Sequence, residues 1–384
     1  MLLYSQLRAL LSSWMPQRKT TRGGGPGNFI FENLFHLTGH VWISQYQFPK
    51  GDRPKCEETM LAGWYERCGP ADEVISVGEI EKPLAGPGEV LVRVHASGIN
   101  PSDYKRRANV KAGMEFPRIV PHSDGAGTVA ALGPGVSNYR VGDRVWMFNA
   151  QWARPMGSAA EFVSLPATLI RPLPNCVSFE EGACLGIPAM TAYHAIFRDG
   201  PVKGQTIYVP AATGRVGAYA IQFARWGGAR VIASTGSRDK MDAIKALGAD
   251  VVLDRNSDLS KSILEHADGR GVDRVIEIDF GHQIGFDEQI VAEGGTIVSY
   301  GAAAPGKAEI TLSPRRARNM SVHFIFVYML SDAQKQTTCD GILQAIRDKA
   351  LRHRIAGTVP LMDLARAHRE AESQAGTGHM VVTL

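Results

Sequence analysis

From Met60 onward, apolar and polar positions fall into short regular blocks. Val90–His95 (VLVRVH) alternates apolar with polar, the period of a half-buried strand. Gly98–Lys105 (GINPSDYK) is rich in turn formers. Pro121–Val129 (PHSDGAGTV) is a glycine-punctuated lead into a strand, and Val141–Val145 (VGDRV) is a turn opening another. This rhythm, kept from 60 to 175, predicts a β-rich domain. Val177–Phe197 then reads as helical. Its CLGIPAMTAYHAIF run is too continuously apolar for a surface helix, so it is expected to pack deep between domains.

The pattern changes again at Thr206. An apolar run, Ile207–Pro210, meets a glycine turn, then a helical stretch through Phe223 and Trp226, then a β-like run, Val231–Ser234. Further αβ repeats follow: a helix from Lys240, a strand at Val251–Leu253, a helix near Leu259–His266 and a strand at Val275–Ile278. A helix near Phe286–Ala292 and a strand at Thr296–Tyr300 complete the series. Strands alternating with helices predict a parallel sheet covered on both faces. Ser321–Leu330 is aromatic and strand-like, Cys339–Arg352 and Leu361–Glu372 read as helices, and Met380–Leu384 is a terminal strand returning to the β-rich domain.

Length and composition narrow the class. The 384 residues suffice for two domains with filled cores. A net charge of +4 makes nucleic acid an unlikely partner, and no apolar run is long enough to span a bilayer. The five cysteines, Cys56, Cys68, Cys176, Cys184 and Cys339, are scattered and form no CxxC, which points to free thiols in a reducing compartment, the cytoplasm. Residues 1–59 look foreign to the rest. No acid occurs between Met1 and Phe31, while Arg8, Arg18, Lys19 and Arg22 are basic. This segment reads as a poorly ordered extension, or as an organelle-targeting peptide.

The candidate chemistry begins at Ala212-Thr213-Gly214-Arg215-Val216-Gly217. Small residues at 212, 214 and 217 let a backbone approach phosphates, and a helix N-terminus behind them offers free N–H groups and positive potential. Strand, glycine turn, helix and strand occur in the order that holds a dinucleotide pyrophosphate. In NAD-binding units an acid about 20 residues past the turn takes the ribose 2′-hydroxyl. Here that position is Thr235, and Ser237, Arg238 and Lys240 follow with donors and positive charge, which favours NADPH. Asp239 partly offsets them, and the bland alternative makes Arg238 and Lys240 the solvated first turn of a helix. Arg215 either contacts the pyrophosphate or points to solvent.

GINPSD, GAGTV, YRVGDRV, GSAAEFV, LGIPAMTAYHAI, AATGRVG and the closing GTGHMVVTL occur in this order along the chain. In these motifs, residues 60–384 resemble the zinc-free quinone oxidoreductases, the zeta-crystallin-like branch of the medium-chain dehydrogenase/reductase superfamily. The resemblance implies an α/β protein: a GroES-like β-rich catalytic domain (60–183 and 323–384) around a Rossmann domain with a doubly wound parallel sheet (184–322). It implies a cleft active site, NADPH-dependent reduction of quinones or α,β-unsaturated carbonyls, and a homodimer or homotetramer. A non-enzymatic NADPH-binding, RNA-binding or structural role on the same fold is the rival reading.

Zinc-dependent relatives carry ligands where this chain has Asn100, Ser123-Asp124 and a position near Ile187, and Trp146–Phe162 lacks the four cysteines of their structural zinc, so no metal is expected. His122 reads as structural or hydrogen-bonding. By resemblance, Asn100 lies at the nicotinamide cleft, and Tyr104 and Lys105 on its substrate side, each able to hydrogen-bond a carbonyl oxygen. Loop capping for Asn100 and core packing for Tyr104 are the alternatives. Thr191 is expected beside the nicotinamide with Tyr193 packing nearby. Arg255 falls near the 2′-phosphate, and Tyr300 and Gly301 at the ligand-binding edge of a Rossmann strand. Phe324, Phe326 and Tyr328 are expected at the substrate mouth or a dimer seam. The family usually has glycine where this chain has Arg215.

Overall fold

A computed structural model describes residues 58–301, 307–310, 318–373 and 378–384. The basic N-terminal segment, with its targeting reading, lies outside the described residues but for its last two positions. Thr59–Trp64 (β1) and Ser76–Glu81 (β2) pair antiparallel, joined through Ala71–Val74 (α1). Glu89–Gly98 (β3) is the hub of the β-rich part. Its apolar positions are buried, and it pairs with Asp124–Leu132 (β4), Phe162–Pro166 (β6) and the terminal strand His379–Thr383 (β15). Arg144–Met147 (β5), Ile170–Pro172 (β7) and Ile355–Pro360 (β14) complete a seven-stranded sheet. The expected return of the C-terminus to this sheet is seen in the pairing of Val381–Thr383 with Ala96–Gly98. Helix Pro101–Ala108 (α2) leaves the end of β3.

Phe179–Gly182 (α3) and a π-turn, Leu185–Ala189, lead into Met190–Phe197 (α4). Most of α4 is buried, as its unbroken apolar run requires. Then come Thr206–Val209 (β8), Arg215–Trp226 (α5), Arg230–Thr235 (β9), Met241–Lys245 (α6), Val251–Asp254 (β10) and Leu259–His266 (α7). Val272–Glu277 (β11), Phe280–Ile290 (α8), Val291–Ser299 (β12) and Ser321–Phe324 (β13) close a six-stranded sheet of order β10-β9-β8-β11-β12-β13. All its pairings are parallel. The chain winds outward in one direction through β8–β10 and in the other through β11–β13. The switch point therefore lies between β8 and β11, where open α/β sheets bind ligands. Asp332–Arg347 (α9) and Leu364–Glu372 (α10) follow.

Several boundaries differ from those expected from the sequence. Helix α8 begins at Phe280, not near Phe286, and Val291 already starts a strand. Gly281 and Gly285 weaken its helical signal; burial of Phe280, Ile284 and Ile290 against the sheet holds it instead. The strand expected over Ser321–Leu330 stops at Phe324, where the chain turns into a 3₁₀ turn at Val327–Met329. Because β13 pairs with β12 through Phe324, a domain boundary at 322/323 would cut a strand. Helix α9 starts seven residues before Cys339. Ser331 caps it, its hydroxyl accepting from the Gln334 N–H while the Gln334 side chain accepts from the Ser331 N–H.

Candidate active site

The glycine turn sits at the end of β8. Gly214 is the N-cap of α5 and makes no side-chain cap bond, so the first N–H groups of the helix stay free for an anion. A Cβ on Gly217 would stand 2.5 Å from the Ala211 carbonyl, which fixes glycine there. Ala212 is buried; Thr213 and Val216 are half-buried. One wall of this pocket was not anticipated. Arg354, Gly378 and His379 face Thr213 and Gly214 across it. His379 is 2 % exposed, and among the described residues its Nε2 has no partner, nor has Arg354 Nη1. These orphaned buried groups beside a free helix N-terminus fit a dinucleotide pyrophosphate. No periodicity in the sequence points to them; the only signal is the basic run Arg352-His353-Arg354.

The far end of the groove is exposed and charged. Thr235 closes β9, and its hydroxyl accepts the Ser237 N–H at 3.1 Å. The Arg255 N–H bonds the Thr235 carbonyl at 2.9 Å, which folds the ends of β9 and β10 together. The Arg255 guanidinium then lies over Gly236, 2.9 Å from where a Cβ would stand. Arg238 is 86 % exposed and pairs with Asp254 at 3.1 Å. Ser237 donates to Asp239 at 2.5 Å, and Lys240 is half-buried in the turn that follows. Ser237, Arg238, Lys240 and Arg255 are thus neighbours in the fold. Tyr300 and Gly301 lie beyond β12, the Tyr300 N–H bonded to the Glu277 carbonyl at 3.0 Å. Thr191 sits in α4 with its hydroxyl donating to the Ile187 carbonyl at 2.6 Å.

The near end is buried and closed by hydrogen bonds. Asn100 is the N-cap of α2, so the capping role is real, and it is also clamped by two carboxyls. Its N–H donates to Asp103 at 2.7 Å and its Nδ2 to Asp124 at 2.6 Å. Asp124 also accepts the Ile187 N–H, at 2.8 Å and 3.0 Å. Only glycine at 186 allows this, because a Cβ there would overlap the Asp124 carboxyl. Burial pushes Asp124 well above the carboxylate range, against the pull of the Asn100 amide. Burial likewise brings Asp103 up to about 7, opposed by the Asn100 N–H, Arg106 and Arg215. His122 is hydrogen-bonded rather than free: Nδ1 meets Ser97 Oγ at 2.7 Å and Nε2 meets His368 Nε2 at 3.0 Å. Burial holds it down at about 3.

Helix α2 separates Tyr104 from Lys105. Ser102, Lys105 and Arg106 share one face, by i, i+3 and i+4 spacing. Ser102 Oγ meets the Tyr328 hydroxyl at 2.6 Å, and Arg106 lies over the Trp152 ring at 5.3 Å. Trp152 stacks on Tyr328 at 4.7 Å and meets Phe326 edge-on at 5.3 Å. This is an aromatic wall, with exposed Lys105 on the helix face that borders it. Tyr104 lies on the opposite face, 8 % exposed, packed with Met60, Ile99 and Val382, so the core-packing alternative describes its ring. Phe324 is 71 % exposed at the edge of the parallel sheet, away from this wall.

A parallel sheet with a glycine turn at its switch point, beside a buried polar cleft in a β-rich partner, defines a dinucleotide-dependent oxidoreductase of the medium-chain dehydrogenase/reductase type. The family model described as the alcohol dehydrogenase GroES-like domain matches residues 86–175, and that described as zinc-binding dehydrogenase matches 216–343. The chain is 30% identical over 329 residues to the quinone oxidoreductase of Mus musculus, covering 83% of this chain and 96% of that one. To the quinone oxidoreductase of Rattus norvegicus it is 29% identical over 326 residues, with the same coverage. A solved mycobacterial quinone oxidoreductase superposes with a TM-score of 0.76 at 28% identity, covering 85% of this chain and 100% of that one. The mycobacterial protein Rv1454c, solved with NADPH, superposes at 0.73 with 28% identity and the same coverage. The chain belongs to the quinone oxidoreductase family.

Among the described residues, zinc finds no fitting donor set. At the positions where zinc relatives carry ligands stand an amide that donates to Asp124, a serine and an isoleucine, and the Asp124 carboxyl is already engaged by two N–H donors.

Proposed function

We infer that the protein is an NADPH-dependent reductase of quinones or α,β-unsaturated carbonyls that works without a metal. The observation that carries this reading is Thr235 itself, a hydroxyl where NAD-binding units place an acid, with Ser237, Arg238 and Arg255 gathered around it and Asp254 paired to Arg238. A 2′-phosphate meets no carboxylate at position 235 and finds guanidinium donors instead. Thr213–Gly217, His379 and Arg354 hold the pyrophosphate, with Tyr300 and Gly301 at the sheet edge and Thr191 beside the nicotinamide. Bound there, NADPH supplies the hydride.

The chain's own residues then position the substrate and disperse charge. Phe326, exposed and backed by Trp152 and buried Tyr328, offers an aromatic surface to a planar acceptor. Lys105 is the donor to the substrate oxygen, stabilising the negative charge that develops on it. Asn100, held by two carboxyls, keeps its place beside the nicotinamide at no reorganisation cost. Tyr104 acts from the core side of α2 rather than on substrate. We further propose a catalytic part spanning 60–183 and the C-terminal segment after Phe324, and a cytoplasmic homodimer or homotetramer. The β13 edge with exposed Phe324 is the natural seam for a second copy. Among the described residues no helix is long and apolar enough to cross a membrane.

The test is an NADPH-oxidation screen against naphthoquinones, phenanthrenequinone and short enones, with NADH run in parallel. Turnover with NADPH is expected. Stoichiometric NADPH binding with no turnover on any acceptor would favour the non-enzymatic reading.

A further inference from the structure

We propose that Arg215 is a positioning residue that fastens the glycine turn to helix α2 and strand β15, holding the phosphate cradle and the substrate-side residues at a fixed separation. The inference deepens the reductase reading and rests on it for its kinetic consequence. Arg215 is the first residue of α5, where a cation opposes the helix dipole. Such a side chain gains nothing by staying at the helix end. It lines the same pocket as Thr213, Gly214 and His379, and crosses it to the opposite wall. Its Nε donates to the Gly378 carbonyl at 3.1 Å, immediately before β15. Tyr104, on the core side of α2, and Asp103 and Cys184 are near enough for their charges to act on the guanidinium.

These partners lie on elements separate from the parallel sheet. Gly378 immediately precedes β15, which pairs with β3. Tyr104 packs into the core formed with Met60, Ile99, Leu361 and Val382. Asp103 is the residue that accepts the Asn100 N–H. One side chain on the phosphate-binding turn therefore bonds the segment before β15 and lies beside the helix turn that holds Asn100 and carries Lys105. The planar guanidinium suits this role, because its fork of donors can serve a carbonyl and a hydroxyl at once. Its backbone N–H stays at the helix N-terminus.

Arg215→Gln tests the latch on three readouts. In the apo-protein, amide exchange in Pro101–Ala108 and His379–Thr383 is expected to speed up about tenfold, while Leu259–His266 is unchanged. NADPH affinity, read by fluorescence titration, stays within about threefold, and kcat with a naphthoquinone falls about tenfold, because misplacement and not cofactor loss is the defect. Adding Tyr104→Phe to Arg215→Gln brings no further acceleration of exchange. A tenfold or greater loss of NADPH affinity with unchanged exchange in α2 and β15 overturns the proposal and makes Arg215 a phosphate ligand. No change in exchange or affinity also overturns it, as expected of a solvated side chain. If Arg215→Gln fails to fold, Arg215→Lys keeps the charge, loses the Nε donor to Gly378 and carries the same readouts. A wild-type protein that reduces no quinone sinks the reductase reading, while the exchange result still decides the latch.

Discussion

The two ends of the cofactor groove are built on opposite principles. At the Thr235 end, charged groups stand in solvent with loose partners: Arg238 is 86 % exposed and its ion pair with Asp254 lies on the surface. At the Asn100 end every group is buried, and Asn100, Asp103 and Asp124 satisfy one another and the Ile187 N–H. The exposed end can discriminate between ligands through charge while adding little to stability. The buried end contributes to both, because removing one partner strands the others.

The largest effect should come from breaking the buried end. Asp124→Ala strands the Asn100 amide and the Ile187 N–H, at about 1–3 kcal/mol each. Denaturant unfolding should show a loss of several kcal/mol, and a loss below about 1 kcal/mol would mean that water replaces the carboxyl. At the exposed end, the proposed contact of Arg255 with the 2′-phosphate is one charge-assisted bond, worth about 1.5–3 kcal/mol, which Arg255→Ala removes. NADPH should bind about ten- to a hundredfold more weakly while NADH affinity is unmoved; equal losses for both cofactors would place Arg255 elsewhere on the ligand.

Proton linkage sharpens the contrast. A carboxyl raised to about 7 by burial keeps its proton in the folded state after the unfolded chain has lost it. Asp103 therefore lowers stability progressively as pH climbs from about 4 to about 7, by up to roughly 1.4 kcal/mol per pH unit, and no further above that. Wild type should lose stability relative to Asp103→Asn across that window; parallel curves would show an Asp103 that titrates normally. The smallest effect is expected from Arg238→Ala. Its exposed pair should change stability by less than about 0.5 kcal/mol while NADPH affinity falls; a clear drop in melting temperature would contradict a purely ligand-directed role.

The same contrast explains what could be read from the chain. The glycine turn, the acid-free β9 end and the helix at Leu259–His266 are local patterns, and each stands where its spacing put it. Arg255 and Ser237 come together because β9 and β10 are adjacent parallel strands, a consequence of the αβ repeat. The buried end is different. Asp124, Asn100 and Ile187 are far apart in sequence and meet only through the β4 pairing and the π-turn at Leu185–Ala189. The choice between Tyr104 and Lys105 needed the phase of a two-turn helix, which the GINPSDYK pattern does not fix. His379 and Arg354 required the terminal strand to be docked against β3 and β14.

The account turns on the Thr235 corner choosing the phosphorylated cofactor. Titrating the apo-protein with NADPH and with NADH under one ionic strength measures this directly. NADPH should bind at least about tenfold more tightly, and the ratio should shrink as salt screens Arg238 and Arg255. Equal affinities, or tighter binding of NADH, would contradict it.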